Sequence, residues 1–180
     1  IFYTLVHPTS PSFQTVSSIK PNTGFVTKDN RVWRYLDTPG HWSPQKLVAT
    51  VLTGSNSSID RIVLVLDSTQ PVSKSVDFLY GLLQHFQSTT SKSKKPSVLV
   101  ACHKSKSPKA KNVRRLKLQV RNELERLGKL MMAAENAAAS TVNWDDVLSS
   151  QVGFISTSVD PPMLDDLKAY LESGTLPEST

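Results

Sequence analysis

A single cysteine, Cys102, stands in 180 residues, so no internal disulfide can form and no cysteine-rich zinc site can be built. That scarcity favours a reducing compartment such as the cytosol. No apolar run approaches the roughly 20 residues that cross a bilayer. The opening Ile1-Phe2-Tyr3-Thr4-Leu5-Val6 is too short for a signal peptide and lacks a basic flank. Any membrane anchor is therefore expected outside these residues. Internal repeats are absent too, and neither Lys92-Ser93-Lys94-Lys95 nor Gly54-Ser55-Asn56-Ser57-Ser58 reads as a domain boundary, because strands follow at once. With 38% hydrophobic and 20% charged residues, the expectation is one domain over 1–180 with a sizeable core. The net charge of +6 and a pI near 9.5 suit nucleic acid, acidic lipid or an acidic protein alike, since each gains from a positive field.

The hydrophobic pattern predicts an α/β fold. Arg31 to Leu36 alternates as a strand does, following a shorter strand at Gly24-Phe25-Val26-Thr27. Arg61 to Ser68 and Ser97 to Cys102 are nearly continuous β-branched and leucine runs, typical of parallel strands buried on both faces. Between them Val76, Leu79, Tyr80, Leu83 and Phe86 recur at helical spacing, which predicts a crossover helix over 73–88. Leu116, Val120, Leu124, Leu127 and Met131 predict a long helix from about Ala110 to Ala139. A last strand at 152–156 and a closing helix with Leu164, Leu167, Tyr170 and Leu171 complete a β-β-β-α-β-α-β-α order, hence a mainly parallel sheet flanked by helices.

In such sheets ligands bind outside the carboxyl ends of the strands, which directs attention to four loops. Asp37-Thr38-Pro39-Gly40-His41 follows a strand. An acid there can hold a water on Mg²⁺, and the Gly40 amide can approach a phosphate with no side chain intervening; His41 would lie near an attacking water. Pro and Gly also make ordinary turns, and it is the strand before this segment and the histidine after it that favour the chemical reading. Ala101-Cys102-His103-Lys104-Ser105-Lys106 ends a central strand where a base would be read. A polar stretch from Gln14 to Asn22 offers Thr15 as a metal-contacting hydroxyl, and Ser156-Thr157-Ser158 could present backbone amides to a base. Cys102 reads as a small core residue, and Trp33, Trp42 and Trp144 as packing residues, with Trp42 a candidate for a partner surface.

Together, Leu-Asp-Thr-Pro-Gly-His (36–41), Leu-Val-Leu-Asp-Ser (64–68), Val-Asp-Phe-Leu-Tyr (76–80) and Val-Leu-Val-Ala-Cys-His-Lys (98–104) resemble the signal recognition particle receptor β-subunit family within the Ras-like GTPases. The likeness extends over nearly the whole chain, to Leu118–Leu127 and Asp166–Leu171. It implies a Ras-like P-loop GTPase fold and a GTP-binding subunit at the cytosolic face of the endoplasmic reticulum membrane, with GTP and Mg²⁺ as cofactors. It also implies binding of the receptor α subunit's N-terminal domain in the GTP state, with the ribosome and translocon as further contacts. Carried onto this chain, it makes Thr15 and Asp37 the metal-side residues and Gly40 and His41 the second switch, with His41 orienting water. His103, Lys104, Ser156, Thr157 and Ser158 become the base side. Thr15, Val16, Ser17, Ser18, Ile19 and Trp42 become partner contacts.

Two departures bear on this. No Gly-x-x-x-x-Gly-Lys-Ser/Thr occurs in the chain; the first strand and the phosphate loop are expected immediately before Ile1, with Ile1 to Val6 in the helix that follows. The usual Asn-Lys-x-Asp is His103-Lys104-Ser105-Lys106, and lysine has no acceptor for the guanine N1–H and N2–H, so guanine selectivity is expected to be weakened. Hydrolysis is expected to be slow or partner-stimulated, since orienting water needs an intact site. Two alternatives compete. A translational GTPase fragment shares Asp-x-Pro-Gly-His but should carry Asn-Lys-x-Asp and a following β-barrel. A nucleic-acid-binding domain would rest on Lys92–Lys95 and Lys104–Arg115, which lack the interleaved aromatics of a single-strand platform; direct nucleic-acid binding is not expected.

Overall fold

The computed structural model describes residues 19–28, 30–43, 46, 59–88, 96–135, 142–159 and 162–177. The described chain opens with an antiparallel hairpin, β1 (Asn22–Lys28) and β2 (Arg31–Asp37), in which Lys28 pairs with Arg31 and Asn22 with Asp37. Only two residues, Asp29 and Asn30, separate the strands. Asn30 takes φ 57°, the left-handed conformation that such short hairpin turns require and that asparagine tolerates.

A three-stranded parallel sheet follows, in the order β3 (Arg61–Asp67), β4 (Ser97–His103), β5 (Val152–Ser156). Its strands are linked by α1 (Ser73–Ser88), by α2 (Val113–Glu135) and by α3 (Trp144–Gln151). A two-residue pairing of β6 (Ser158–Val159) with β7 (Pro162–Met163) leads into α4 (Asp165–Ser173). The expected α/β architecture is therefore present, with a parallel central sheet flanked by helices. Hydrogen bonding nevertheless divides the described strands into three separate sheets, because no described strand bridges the hairpin and β3.

Strand β4 lies at the centre and is covered on both faces, which explains its unbroken apolar run. Val98, Val100 and Cys102 face Val76, Leu79, Leu83 and Phe86 of α1 and Leu116, Val120 and Leu124 of α2 in one cluster. Leu99 and Ala101 point the other way, toward Leu164, Leu167 and Tyr170. The period of two along β4 thus feeds two cores. The Tyr170 hydroxyl, buried with its ring, donates to the Ser97 carbonyl at 2.7 Å.

The spacing of apolar residues gave the bounds of α1 correctly. For the long helix it placed the start three residues early: Asn112 caps α2, its Oδ1 accepting from Arg115 N at 2.8 Å, so helical geometry begins at Val113. Helix α3 lies outside the expected order. Its two turns are too short for periodicity to register, and its signal is the capping residue Asn143, which accepts from Asp145 N at 3.1 Å, followed by an acidic first turn.

Arg61 ties three elements together. Its guanidinium stacks 4.5 Å over Trp33 of β2 and donates to the Leu171 carbonyl near the end of α4. Gly174 ends α4 at φ 72°, its N–H bonding Tyr170 O at 2.8 Å. A Cβ there would lie 2.8 Å from Arg61 Nε, so both the backbone angle and the close approach require glycine.

Candidate functional site

Because β3, β4 and β5 are parallel and in register, Asp67 lies beside His103 and Cys102 beside Ser156. Their three following loops therefore emerge at one edge. The carboxylate of Asp67 organises the first of them: Oδ1 accepts from Thr69 N at 2.9 Å and Thr69 Oγ1 at 2.7 Å, while Oδ2 accepts from Lys104 Nζ at 2.6 Å. Partial burial alone would raise its pKa. The Lys104 ammonium and the two Thr69 donors outweigh this and bring it down to about 2.

Lys104 occupies φ 60°, and its carbonyl accepts from Ser107 N at 3.0 Å in the first of two consecutive turns; Ala110 N donates to Ser107 O at 2.9 Å in the second. These turns bring Lys111 back, so that its N–H bonds Ser68 O at 3.0 Å and its Nζ the Gln70 carbonyl at 3.0 Å. The loop after β5 is bound in as well. Thr157 N donates to Cys102 O at 2.9 Å, and Thr157 O accepts from both Ser105 N and Ser105 Oγ, at 3.2 and 3.0 Å. Thr157 Oγ1 lies 3.4 Å from His103 Nδ1.

The structure thus gathers His103, Lys104, Ser105 and Thr157 around Asp67, with Ser156 and Ser158 on either side of Thr157. Burial, reinforced by the Lys104 charge, lowers the His103 pKa, which keeps the imidazole neutral at physiological pH. Cys102, fully buried beneath it, has its thiol pushed up to about 12 by burial. It is a protonated core residue and no nucleophile.

The Asp37–Trp42 segment leaves the other described sheet. Asp37 ends β2 half-buried, its Oδ2 accepting from Asn22 Nδ2 at 3.2 Å. Pro39 is buried and its carbonyl accepts from Trp42 N at 3.1 Å, closing a turn. Gly40 and His41 stand exposed at the tip of that turn, and a Cβ on Gly40 would meet nothing within 4 Å. Trp42 is half-buried against the core cluster that α1 and α2 form with one face of β4, with Lys46 Nζ 4.6 Å from its ring centroid. Among the described residues no hydrogen bond or ion pair joins this segment to the His103–Ser105 or Ser156–Thr157 loops. Ile19 lies just ahead of β1 and is highly exposed; Thr15, Val16, Ser17 and Ser18 fall outside the described residues.

Asp67 is the residue to which sequence reasoning gave no role in the site, since it read only as part of the Arg61–Ser68 strand and of the Leu-Val-Leu-Asp-Ser motif. The available signal was its position: an acid closing a buried strand and followed by Ser-Thr, the pattern of a side chain that bonds the backbone two residues on. Among the described residues no cluster of acidic, histidine and cysteine side chains could hold a metal by itself.

The family model of the signal recognition particle receptor beta subunit matches residues 1–162. No curated protein sequence matches the chain. Among solved structures, the mammalian SRP receptor superposes with a TM-score of 0.71 at 24% identity, covering 94% of this chain and 89% of that one. The SRb-GTP/SRX complex from Chaetomium thermophilum gives a TM-score of 0.65 at 19% identity, covering 91% and 81%. At these identities the two structures establish the fold.

Proposed function

Since the chain belongs to the signal recognition particle receptor beta subunit family, we propose that it is the GTP-binding subunit of that receptor at the cytosolic face of the endoplasmic reticulum membrane. In its GTP state it binds the receptor α subunit for co-translational protein targeting. The ribosome and the translocon are then brought near through the assembled receptor.

The observation that carries this reading is the set of three loops drawn together at the carboxyl edge of the parallel sheet, where open α/β folds bind their ligands. Lys104, anchored by Asp67, can lay its alkyl stem along a base. His103, neutral and set beside Thr157, can donate to or accept from the ligand through its free ring nitrogen. The loop after β5 offers backbone amides to the base. On the phosphate side, Asp37 uses Oδ2 for Asn22 and keeps Oδ1 for a water on Mg²⁺; Thr15 would be the second Mg²⁺-side residue. Open space around Gly40 lets its N–H approach a γ-phosphate, and His41 would orient water for slow or partner-stimulated hydrolysis. Ile19 and Trp42, with the Thr15–Ser18 segment before them, would form the α-subunit contact.

In the GTP state the Gly40 N–H would donate to the γ-phosphate and Asp37 would reach it through a water on Mg²⁺, and these contacts would draw the Asp37–Trp42 segment into place. In the full-length protein, a fluorescent GTP analogue measures nucleotide binding, and capture of the α-subunit N-terminal domain in GTP against GDP measures the switch. Capture is expected with GTP only and is expected to fall at least about tenfold in Asp37→Ala, with thermal stability little changed. Equal capture in GTP, GDP and nucleotide-free buffer would sink the reading.

A further inference from the structure

The charge of this chain is concentrated in one place. Between Lys104 and Arg121 lie eight basic residues, Lys104, Lys106, Lys109, Lys111, Arg114, Arg115, Lys117 and Arg121, and no acidic one. Outside that stretch acidic residues outnumber basic ones, so the whole net positive charge arises from the β4–α2 loop and the first turns of α2.

Half of these cations are committed. Lys104 pairs with Asp67, Lys111 bonds the Gln70 carbonyl, Lys117 lies 6.0 Å from the Phe154 ring centroid, and Arg121 pairs with Asp145 and Glu125. Lys106, Lys109, Arg114 and Arg115 are exposed and have no acidic partner among the described residues. Nor are they on a floppy tail: the two turns at Lys104–Ala110, the Lys111–Ser68 bond and the Asn112 cap hold their backbone in place. Four fixed, unneutralised cations bring little ordering cost to a polyanion.

We propose that the Lys109 end of this loop and the first turns of α2 form a docking surface for the phosphate headgroups of an acidic lipid bilayer, with Lys104 and Lys106 left to the base side. Two features select lipid over RNA. No aromatic residue lies between Lys104 and Arg121, so there is nothing on which bases could stack. Leu118, 54% exposed, stands one turn beyond Arg114 and shares a shallow cleft of about 270 Å³ with Arg114, Lys117, Arg121 and Asp145, the last of these neutralised by Arg121. An exposed apolar side chain beside Arg114 and Lys117 fits the boundary between headgroups and acyl chains; against an RNA backbone it would meet only phosphate and water.

Co-sedimentation of the full-length protein, without any membrane-spanning segment, with phosphatidylcholine vesicles, with and without phosphatidylserine, tests this. Binding is expected only with phosphatidylserine and should weaken as salt is raised. Lys109→Gln with Arg115→Gln should reduce it roughly 25-fold, about fivefold for each cation near the surface. Lys74→Gln with Lys129→Gln removes the same charge elsewhere and should change binding by less than about threefold. Leu118→Ser should weaken vesicle binding a few-fold while leaving the thermal unfolding midpoint unchanged. Equal losses in the two double variants would overturn the proposal, as would binding without phosphatidylserine. Tighter binding to duplex RNA than to vesicles, unaffected by Leu118→Ser, would overturn it in favour of a nucleic-acid surface.

Discussion

The loop leaving β2 and the loops leaving β3, β4 and β5 begin alike, with a polar residue at the end of a strand, yet they are held very differently. Asp67 is fixed by three donors, and around it His103, Ser105, Thr157 and Lys111 bond backbone to backbone across three loops. Asp37 has one exposed bond to Asn22, and the segment after it is closed by a single turn. The first region has its shape before any ligand arrives. The second has open space around Gly40 and exposed histidine at its tip, which suits a segment that takes its final position only with a ligand or partner. In the reading proposed above, the rigid region would read the base and the loosely held one would report the phosphate.

The strongest way to break that comparison is to damage each region's support. Leu124, fully buried beneath the parallel sheet, should cost about 3 kcal/mol or more on conversion to Ala, whereas exposed Leu36 on the hairpin should cost no more than about 0.5 kcal/mol. Urea unfolding of both variants measures this, and similar losses would show that the hairpin is as integral to the core as α2.

Glycine substitutions sharpen the same point. A Cβ on Gly153 would sit 3.0 Å from Leu176, 3.1 Å from Leu99 and 3.1 Å from Pro177, so Gly153→Ala should lower stability by about 1–2 kcal/mol. Gly40→Ala should leave the thermal midpoint unchanged and yet abolish nucleotide-dependent α-subunit capture. Unaltered capture would remove Gly40 from the switch.

The base side can be tested by restoring the missing acceptor. Lys106 offers donors only, so the full-length protein should discriminate weakly between GTP and ATP, and Lys106→Asp should raise the preference for GTP by about tenfold, the worth of a charge-assisted hydrogen bond. No gain would mean that the base does not lie against this loop.

The smallest expected effect is a pH dependence. The folded pKa of Asp67 is lowered to about 2, so its contribution is present above the unfolded carboxylate value near 4 and is lost as pH falls toward about 2. Allowing for the exposure of Lys104, that contribution is about 1 kcal/mol. Acid unfolding of Asp67→Asn should lack this part of the loss between pH 4 and 2, and Lys104→Met should diminish it; an unchanged acid limb in both would mean the pair is not formed in solution.

Much of this was legible from residue order. The apolar runs at 61–68 and 97–102 read as strands and are strands, and the period of α1 fixed its bounds, but only β4 is buried on both faces; β3 lies at the edge of the three-stranded sheet and leaves Val65 46% exposed. Helix α3 was not legible, since two turns around Trp144 and Leu148 carry too few apolar positions to show a period. For the candidate site, the sequence placed His103, Lys104 and Ser156–Ser158 at strand ends, but not the contacts between them. The pairing of Lys104 with Asp67 crosses from β4 to β3 and depends on their register.

By itself, then, the sequence determined the family, the α/β class and which residues end strands, because periodicity and local motifs are properties of neighbouring residues. The tertiary structure alone decided that Asp67 holds Lys104, that Thr157 closes the edge through Ser105, and that Arg61 links Trp33 to the end of α4. It also decided which four of eight clustered cations find a partner among the described residues. Each of these depends on groups far apart in the chain being brought within hydrogen-bonding or stacking distance, and only the packing of sheet and helices sets those distances.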